Sequence, residues 1–110
     1  MTPRHTHYEV LVLGSGPAGQ KAAIQASKAG KRAAIVEQER GVGGACVHRG
    51  TIPSKTLRET AVHLAGFRTR VGKHLKVEIP ADLQLASLMD RMEQVIEAHV
   101  TYQDAQLKRN

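Results

Sequence analysis

The residues best placed to do chemistry form a short glycine-rich turn, Gly14-Ser15-Gly16-Pro17-Ala18-Gly19, with an acidic partner, Glu37, about 20 residues past its last glycine. Each glycine has a distinct physical use. Gly14 permits a tight turn, Gly16 lets main-chain N–H groups come close to a pyrophosphate, and Gly19 lets a helix pack on a strand with no side chain between them. A helix starting at such a turn presents unpaired N–H groups and a partial positive charge to the phosphates. A carboxylate at Glu37 can accept hydrogen bonds from both hydroxyls of a ribose and would repel a 2′-phosphate, which favours FAD or NAD over NADP.

A GxGxxG pattern alone also occurs in unrelated loops, so its flanks decide. Tyr8 to Leu13 is rich in apolar and β-branched residues, as expected of a strand covered on both faces, and it ends at the first glycine. Gln20 to Ala29 is dominated by Ala, Lys and Gln, a helix-favouring composition. Pro17 suits the first helical turn and Gly30 the left-handed residue past the helix end. Ala33 to Val36 is a second short apolar run, so the segment reads strand, helix, strand with a parallel crossover. Glu37 stands at the end of that second strand. The competing reading, a bare strand-to-helix turn with Glu37 solvated, requires all these features to coincide by accident.

Beyond Glu37 the periodicity lapses. Gly41, Gly43, Gly44 and Gly50 predict a loop whose backbone closely approaches a ligand. Helix is expected to resume after Pro53, with Leu57, Ala61, Leu64 and Ala65 as its apolar stripe, and to end near Gly66. Gly72 and Pro80 bracket a connector. From Asp82, read as an N-cap, Leu85, Leu88, Met89, Met92, Val95 and Ile96 recur at helical spacing as a core-facing stripe.

The run from Gly41 to Lys55, GVGGACVHRGTIPSK, resembles the redox-active segment of the pyridine nucleotide-disulfide oxidoreductases. The resemblance extends over nearly the whole chain, because strand, glycine turn, acidic residue, glycine loop and helices follow in the family's order. It implies an α/β fold: the N-terminal βαβ part of a Rossmann-like FAD-binding domain followed by two helices, with an incomplete parallel sheet. It also turns the choice between FAD and NAD to FAD. Residues 1–110 would be one incomplete domain, the NAD(P)-binding and dimerisation domains of a larger homodimeric enzyme not being included.

In that family two cysteines separated by four residues relay electrons between flavin and a disulfide substrate. Here the first is Cys46 and the second position holds Thr51. Gly50-Thr51-Ile52-Pro53-Ser54-Lys55, followed by Thr56-Leu57-Arg58-Glu59, looks like the soluble transhydrogenase branch, which implies hydride transfer from NADPH to NAD through FAD with no dithiol relay. By the same resemblance Gly14, Gly16, Pro17, Ala18 and Gly19 would meet the pyrophosphate, and Glu37 and Gln38 the adenosine end. Gly43, Gly44, Ala45 and Cys46 would line the flavin side. Lys55 would stand near the ring, where a cation stabilises reduced flavin. Thr51 would hydrogen-bond the flavin or cap the next turn. Cys46 is assigned to packing beside the cofactor rather than to catalysis. The chain alone is expected to be inactive. The alternatives are a lipoamide dehydrogenase-like flavoprotein without its dithiol, and a short FAD-binding protein without turnover.

Composition narrows the remaining classes. A formal net charge of +6 could serve a nucleic acid, but the basic residues Arg4, Lys28, Lys31, Arg32, Arg58, Arg68, Arg70, Lys73 and Lys108-Arg109 are interspersed with acids. The aromatic residues are only Tyr8, Phe67 and Tyr102, too few for a base-stacking platform. With Cys46 the single cysteine, no intramolecular disulfide can form, and a reducing cytoplasm fits best. The run Val10 to Leu13 is far too short to span a bilayer. His48, His63, His74 and His99 have neither metal-ligand nor triad spacing, so no metal site is expected. Finally, the family resemblance implies a third parallel strand after the last helix; it is not included here, and an open sheet edge and apolar surface are expected in its place.

Overall fold

The computed structural model describes residues 7–71 and 85–110. Strand β1 (Val10–Leu13) leads through the glycine turn into helix α1 (Pro17–Lys28), and β2 (Ala33–Val36) follows. Three helices complete the described chain: α2 (Gly44–His48), α3 (Thr51–Arg70) and α4 (Leu85–Arg109). The expected connector between Gly72 and Pro80, the N-cap Asp82, and Arg4, Lys73 and His74 lie outside the described residues.

The two strands pair in parallel, Val10 opposite Ala33 through Leu13 opposite Val36. Gly14 N–H extends the ladder by donating to the Val36 carbonyl at 2.8 Å. This is the strand–helix–strand unit that the sequence predicts, with Pro17 in the first turn of α1 and Gly16 as its N-cap. At the other end Gly30 has φ +76°, the left-handed conformation expected past the helix. The core is small. Ala23 and Ile24 of α1 and Val47 of α2 are its buried apolar residues among those described.

Several expectations need correction. Strand β1 is not covered on both faces: Leu11 is 60% and Leu13 79% exposed, because α1 packs on one face of the two-stranded sheet and leaves these side chains in solvent. The glycine loop is not wholly irregular, since Gly44–His48 winds into α2 and sinks Val47 to 1% exposure. A run with four glycines hides a helix whose formation depends on burying one valine rather than on propensity.

Helix α3 starts at Thr51, two residues before Pro53, with Gly50 as N-cap, so Thr51 does not cap it. Pro53 is tolerated because the first-turn N–H groups have no intrahelical acceptor. The helix also runs through Gly66 to Arg70. Its half-buried stripe comprises Ile52, Thr56, Leu57, Thr60 and Leu64, whereas Ala61 and Ala65 are exposed. On α4, which packs against α3, Leu88, Met92, Val95 and Ile96 are half-buried, but Leu85 and Met89 are exposed. No described helix is long and apolar enough to cross a membrane.

Gly19 and Gly66 are both helical glycines, yet they answer to different constraints. A Cβ on Gly19 would lie 2.2 Å from the Gly14 carbonyl oxygen and 3.0 Å from Val12 Cγ1, whereas one on Gly66 meets nothing within 4 Å. Gly66→Ala should therefore stabilise the chain by up to about 1 kcal/mol through helix propensity alone. Gly19→Ala should destabilise it by about 1–3 kcal/mol, because backbone must move to admit the methyl group. Urea midpoints of the two variants should move in opposite directions; shifts of the same sign would contradict this packing.

Candidate functional site

The turn between β1 and α1 is built around Ser15, which is fully buried. A buried serine needs partners for its main-chain and hydroxyl groups, and three separate parts of the chain supply them. The Ser15 N–H donates to Glu37 Oε2 at 2.8 Å, and the hydroxyl donates to the same oxygen. The Gly43 N–H is shared between the Ser15 carbonyl and hydroxyl oxygens, both at 3.1 Å. The Gln20 side chain, itself buried, donates from Nε2 to the Ser15 carbonyl at 2.8 Å. Ser15 thus joins the phosphate-type turn to the end of β2, to the glycine loop and to the first turn of α1.

Glu37 is held from both sides. While Oε2 takes the two Ser15 donors, Oε1 accepts from the main-chain N–H groups of Gln38 at 2.8 Å and Glu39 at 3.0 Å. Donation from the Glu39 amide, the Ser15 hydroxyl and the Ser15 amide brings its pKa down to about 2. The side chain is therefore a fixed anion with its principal acceptor positions engaged, folded back onto the turn.

The glycine loop presses directly on the turn. A Cβ at Gly44 would stand 2.9 Å from Gly16 Cα, and one at Gly43 would stand 2.6 Å from Val47 Cγ2. Gly14 adopts φ +93°, a conformation that side chains rarely take. In contrast, a Cβ added to Gly14 or Gly16 meets no atom within 4 Å, so the space above the turn is open. At the start of α1 the Gln20 N–H is the first to reach a helical acceptor, Gly16 C=O at 2.9 Å, and Pro17 has no N–H. The Ala18 and Gly19 amides have no intrahelical acceptor.

The open space is a groove of about 490 Å³. Of the residues expected to bind cofactor, Gly14, Gly16, Glu37, Gln38, Gly44 and Ala45 line it. Pro17, Ala18, Gly19 and Gly43 belong to the turn and loop that frame it but not to its lining. Cys46 is half-buried on α2, while Thr51 and Lys55 are exposed in the first turns of α3, and none of the three lines the groove.

Sequence reasoning missed Ser15, Arg40, His48 and Arg49. Ser15 was hidden as a variable position of the glycine motif; only its burial and bonding reveal it. Arg40 and Arg49 stand in the groove's lining beside Glu37 and Glu39, with Arg49 paired to Glu39 at 2.9 Å, and His48 Nε2 lies 3.0 Å from the Val42 carbonyl. The basic side chains in an otherwise glycine-rich run were the available signal. Among the described residues no group of three or more His, Cys, Asp or Glu could hold a metal ion.

The groove fits a dinucleotide pyrophosphate: glycines leave it open at the turn that leads into α1, Arg40 and Arg49 stand in its lining, and the space is of ligand-pocket size.

The Glu37 carboxylate also sets a pH dependence. Its pKa is lowered from 4.5 to about 2 in the folded chain, so its stabilising contribution is complete above pH 4.5 and is lost as pH falls towards 2. A glutamine has one acceptor oxygen and would set an NH₂ against donors. Glu37→Gln should be less stable than wild type near neutral pH, and the gap should close between pH 4.5 and 2. Denaturation midpoints across that range provide the check; a constant gap would show that the charge is not what these donors hold.

The family description "Pyridine nucleotide-disulphide oxidoreductase" matches residues 8–109. The soluble pyridine nucleotide transhydrogenase of Mycobacterium bovis (strain BCG / Pasteur 1173P2) is 46% identical over 103 residues, covering 94% of this chain and 22% of the relative. Its namesake from Marinomonas sp. (strain MWYL1) is 44% identical over 100 residues, 91% of this chain and 21% of the relative. Among solved structures, the HOCl-induced flavoprotein disulfide reductase RclA from Escherichia coli matches with a TM-score of 0.65 and 25% identity, over 87% of this chain and 18% of that one. The chain spans about a fifth of the length of the curated relatives it matches. With the family match running from Tyr8 to Arg109, this chain belongs to the pyridine nucleotide-disulphide oxidoreductase family.

Proposed function

We propose that this chain supplies the FAD-binding start of a soluble pyridine nucleotide transhydrogenase, an enzyme that moves hydride from NADPH to NAD by way of bound FAD. The observation that carries the cofactor assignment is the open groove above Gly14 and Gly16, walled at one side by an ionised Glu37. In this reading the amides at the start of α1 receive the pyrophosphate, with Arg40 and Arg49 adding positive charge. Glu37 and Gln38 take the ribose and adenosine end. Gly43, Gly44, Ala45 and Cys46 approach the flavin, and Lys55 adds a cation near it.

The choice of transhydrogenation over disulfide reduction rests on Thr51. Flavin, once bound, supplies the capacity to accept and return a hydride. A disulfide relay would need a second thiol, and Thr51 has a hydroxyl that forms no disulfide with Cys46. Cys46 thus serves as a small packing residue, and the chain's own contribution is to bind and orient. Resemblance to proteins named soluble transhydrogenases over 94% of this chain supports the same reading. The nicotinamide sites and the homodimer contacts are assigned to the complete enzyme, and the chain by itself is proposed to have no turnover.

Two measurements test these assignments. After incubation with FAD and gel filtration, the chain should retain flavin absorbance, and Glu37→Ala, which releases the Ser15, Gln38 and Glu39 donors and so loosens the turn, should bind FAD about tenfold more weakly, equivalent to about 1.4 kcal/mol. A colourless protein fraction would contradict the cofactor assignment. In the complete enzyme, NADPH should reduce an NAD analogue in a flavin-dependent reaction with no added thiol. Turnover with lipoamide or glutathione disulfide in its place would overturn transhydrogenation.

A further inference from the structure

We propose that Gln103, on α4, is a positioning residue for the dinucleotide turn, acting through Gln20 and Ser15. The proposal rests on the groove being the FAD site and adds a remote determinant of its shape. Gln103 lies 83 positions from Gln20 in sequence, yet its Oε1 accepts a hydrogen bond from Gln20 Nε2 at 3.0 Å. The same Nε2 donates to the Ser15 carbonyl at 2.8 Å, so both of its hydrogens are committed. That carbonyl also receives the Gly43 N–H. A continuous set of hydrogen bonds therefore runs from α4 to the peptide at the centre of the turn.

A second contact fixes the same point. A Cβ on Gly43 would lie 3.0 Å from Gln103 Oε1, so the glutamine oxygen packs against the glycine whose N–H clasps Ser15. Val100, one turn earlier on α4, stands 3.5 Å from a Cβ at Gly41. One face of α4 thus backs the glycine loop at two places while the loop's other side meets Gly16 through Gly44. Further along, Ser27 Oγ of α1 donates to the Asn110 main-chain oxygen just past α4, an exposed contact between the two segments. Gln20 is only 6% exposed, so water cannot readily replace the partner that Gln103 provides.

The test uses the full chain with Gln103→Leu, which keeps the shape and removes the acceptor, and Gln103→Glu, which keeps an acceptor for Gln20. In the chain without cofactor, amide hydrogen exchange should quicken about three- to tenfold in Gln103→Leu for peptides covering residues 14–20 and 41–47, the range expected from loss of one net hydrogen bond. Exchange in the middle of α3 should stay at the wild-type rate. In FAD titrations the dissociation constant of Gln103→Leu should rise by a similar factor, and Gln103→Glu should stay close to wild type in both measurements.

Wild-type exchange and FAD affinity in Gln103→Leu would overturn the proposal. So would acceleration spread equally over α3, which marks a general loss of packing, or a Gln103→Glu chain that behaves like Gln103→Leu. A wild-type chain that takes up no FAD overturns the underlying cofactor reading, while the exchange comparison still decides whether Gln103 positions the turn.

Discussion

Burial of Ser15 is the constraint on which the rest of the site depends. A fully buried peptide with a hydroxyl side chain is tolerable only when its polar groups find partners. Those partners come from Glu37 after β2, Gly43 before α2 and Gln20 in α1. Two connections that are remote in sequence must therefore close on the turn together with the local one from Gln20. The glycines are the steric counterpart of this closure: Gly19, Gly43 and Gly44 occur where a Cβ would stand under 3.0 Å from a neighbour.

The electrostatics of the groove follow from the same closure. Pulling Glu37 back onto Ser15 fixes a negative charge at one side, and the basic side chains of Arg40 and Arg49 stand on the loop that folds over it. The exposed Arg49–Glu39 pair is a weak contact of the kind that solvent readily exchanges. The rim charges of Arg40, Arg49 and Glu39 are consequently free to rearrange, whereas Glu37 stays fixed. The charge pattern of the groove and its open backbone are thus properties of one small assembly rather than of separate elements.

Much of this was legible in the amino-acid order. Pro17 and Gly30 mark the ends of α1 because each suits a backbone geometry that is locally determined. The apolar runs locate both strands, and the glycine spacing locates the turn. What escaped depends on tertiary context. Helix α2 forms because Val47 is buried, which no local composition indicates. Gly66 looked like a helix end, but nothing at its position demands termination and α3 continues. Leu11 and Leu13 read as core residues from hydrophobicity alone, while their exposure depends on which elements cover the sheet. Ser15 occupies a position that the glycine motif leaves free, so only the long-range hydrogen bonds disclose its part.

The engaged state of Glu37 changes how its role in ligand choice is to be understood. Its oxygens already receive Ser15, Gln38 and Glu39 donors, so a ribose hydroxyl arriving there replaces one good hydrogen bond with another. Such an exchange is close to neutral in enthalpy and adds little attraction. On the proposed assignment, discrimination comes from the ligands turned away: one unable to donate leaves the turn's own contact broken with nothing in return, and one bearing negative charge meets a carboxylate held in its charged form. On that assignment, the residue would act as a gatekeeper against unsuitable nucleotides more than as an anchor for the right one.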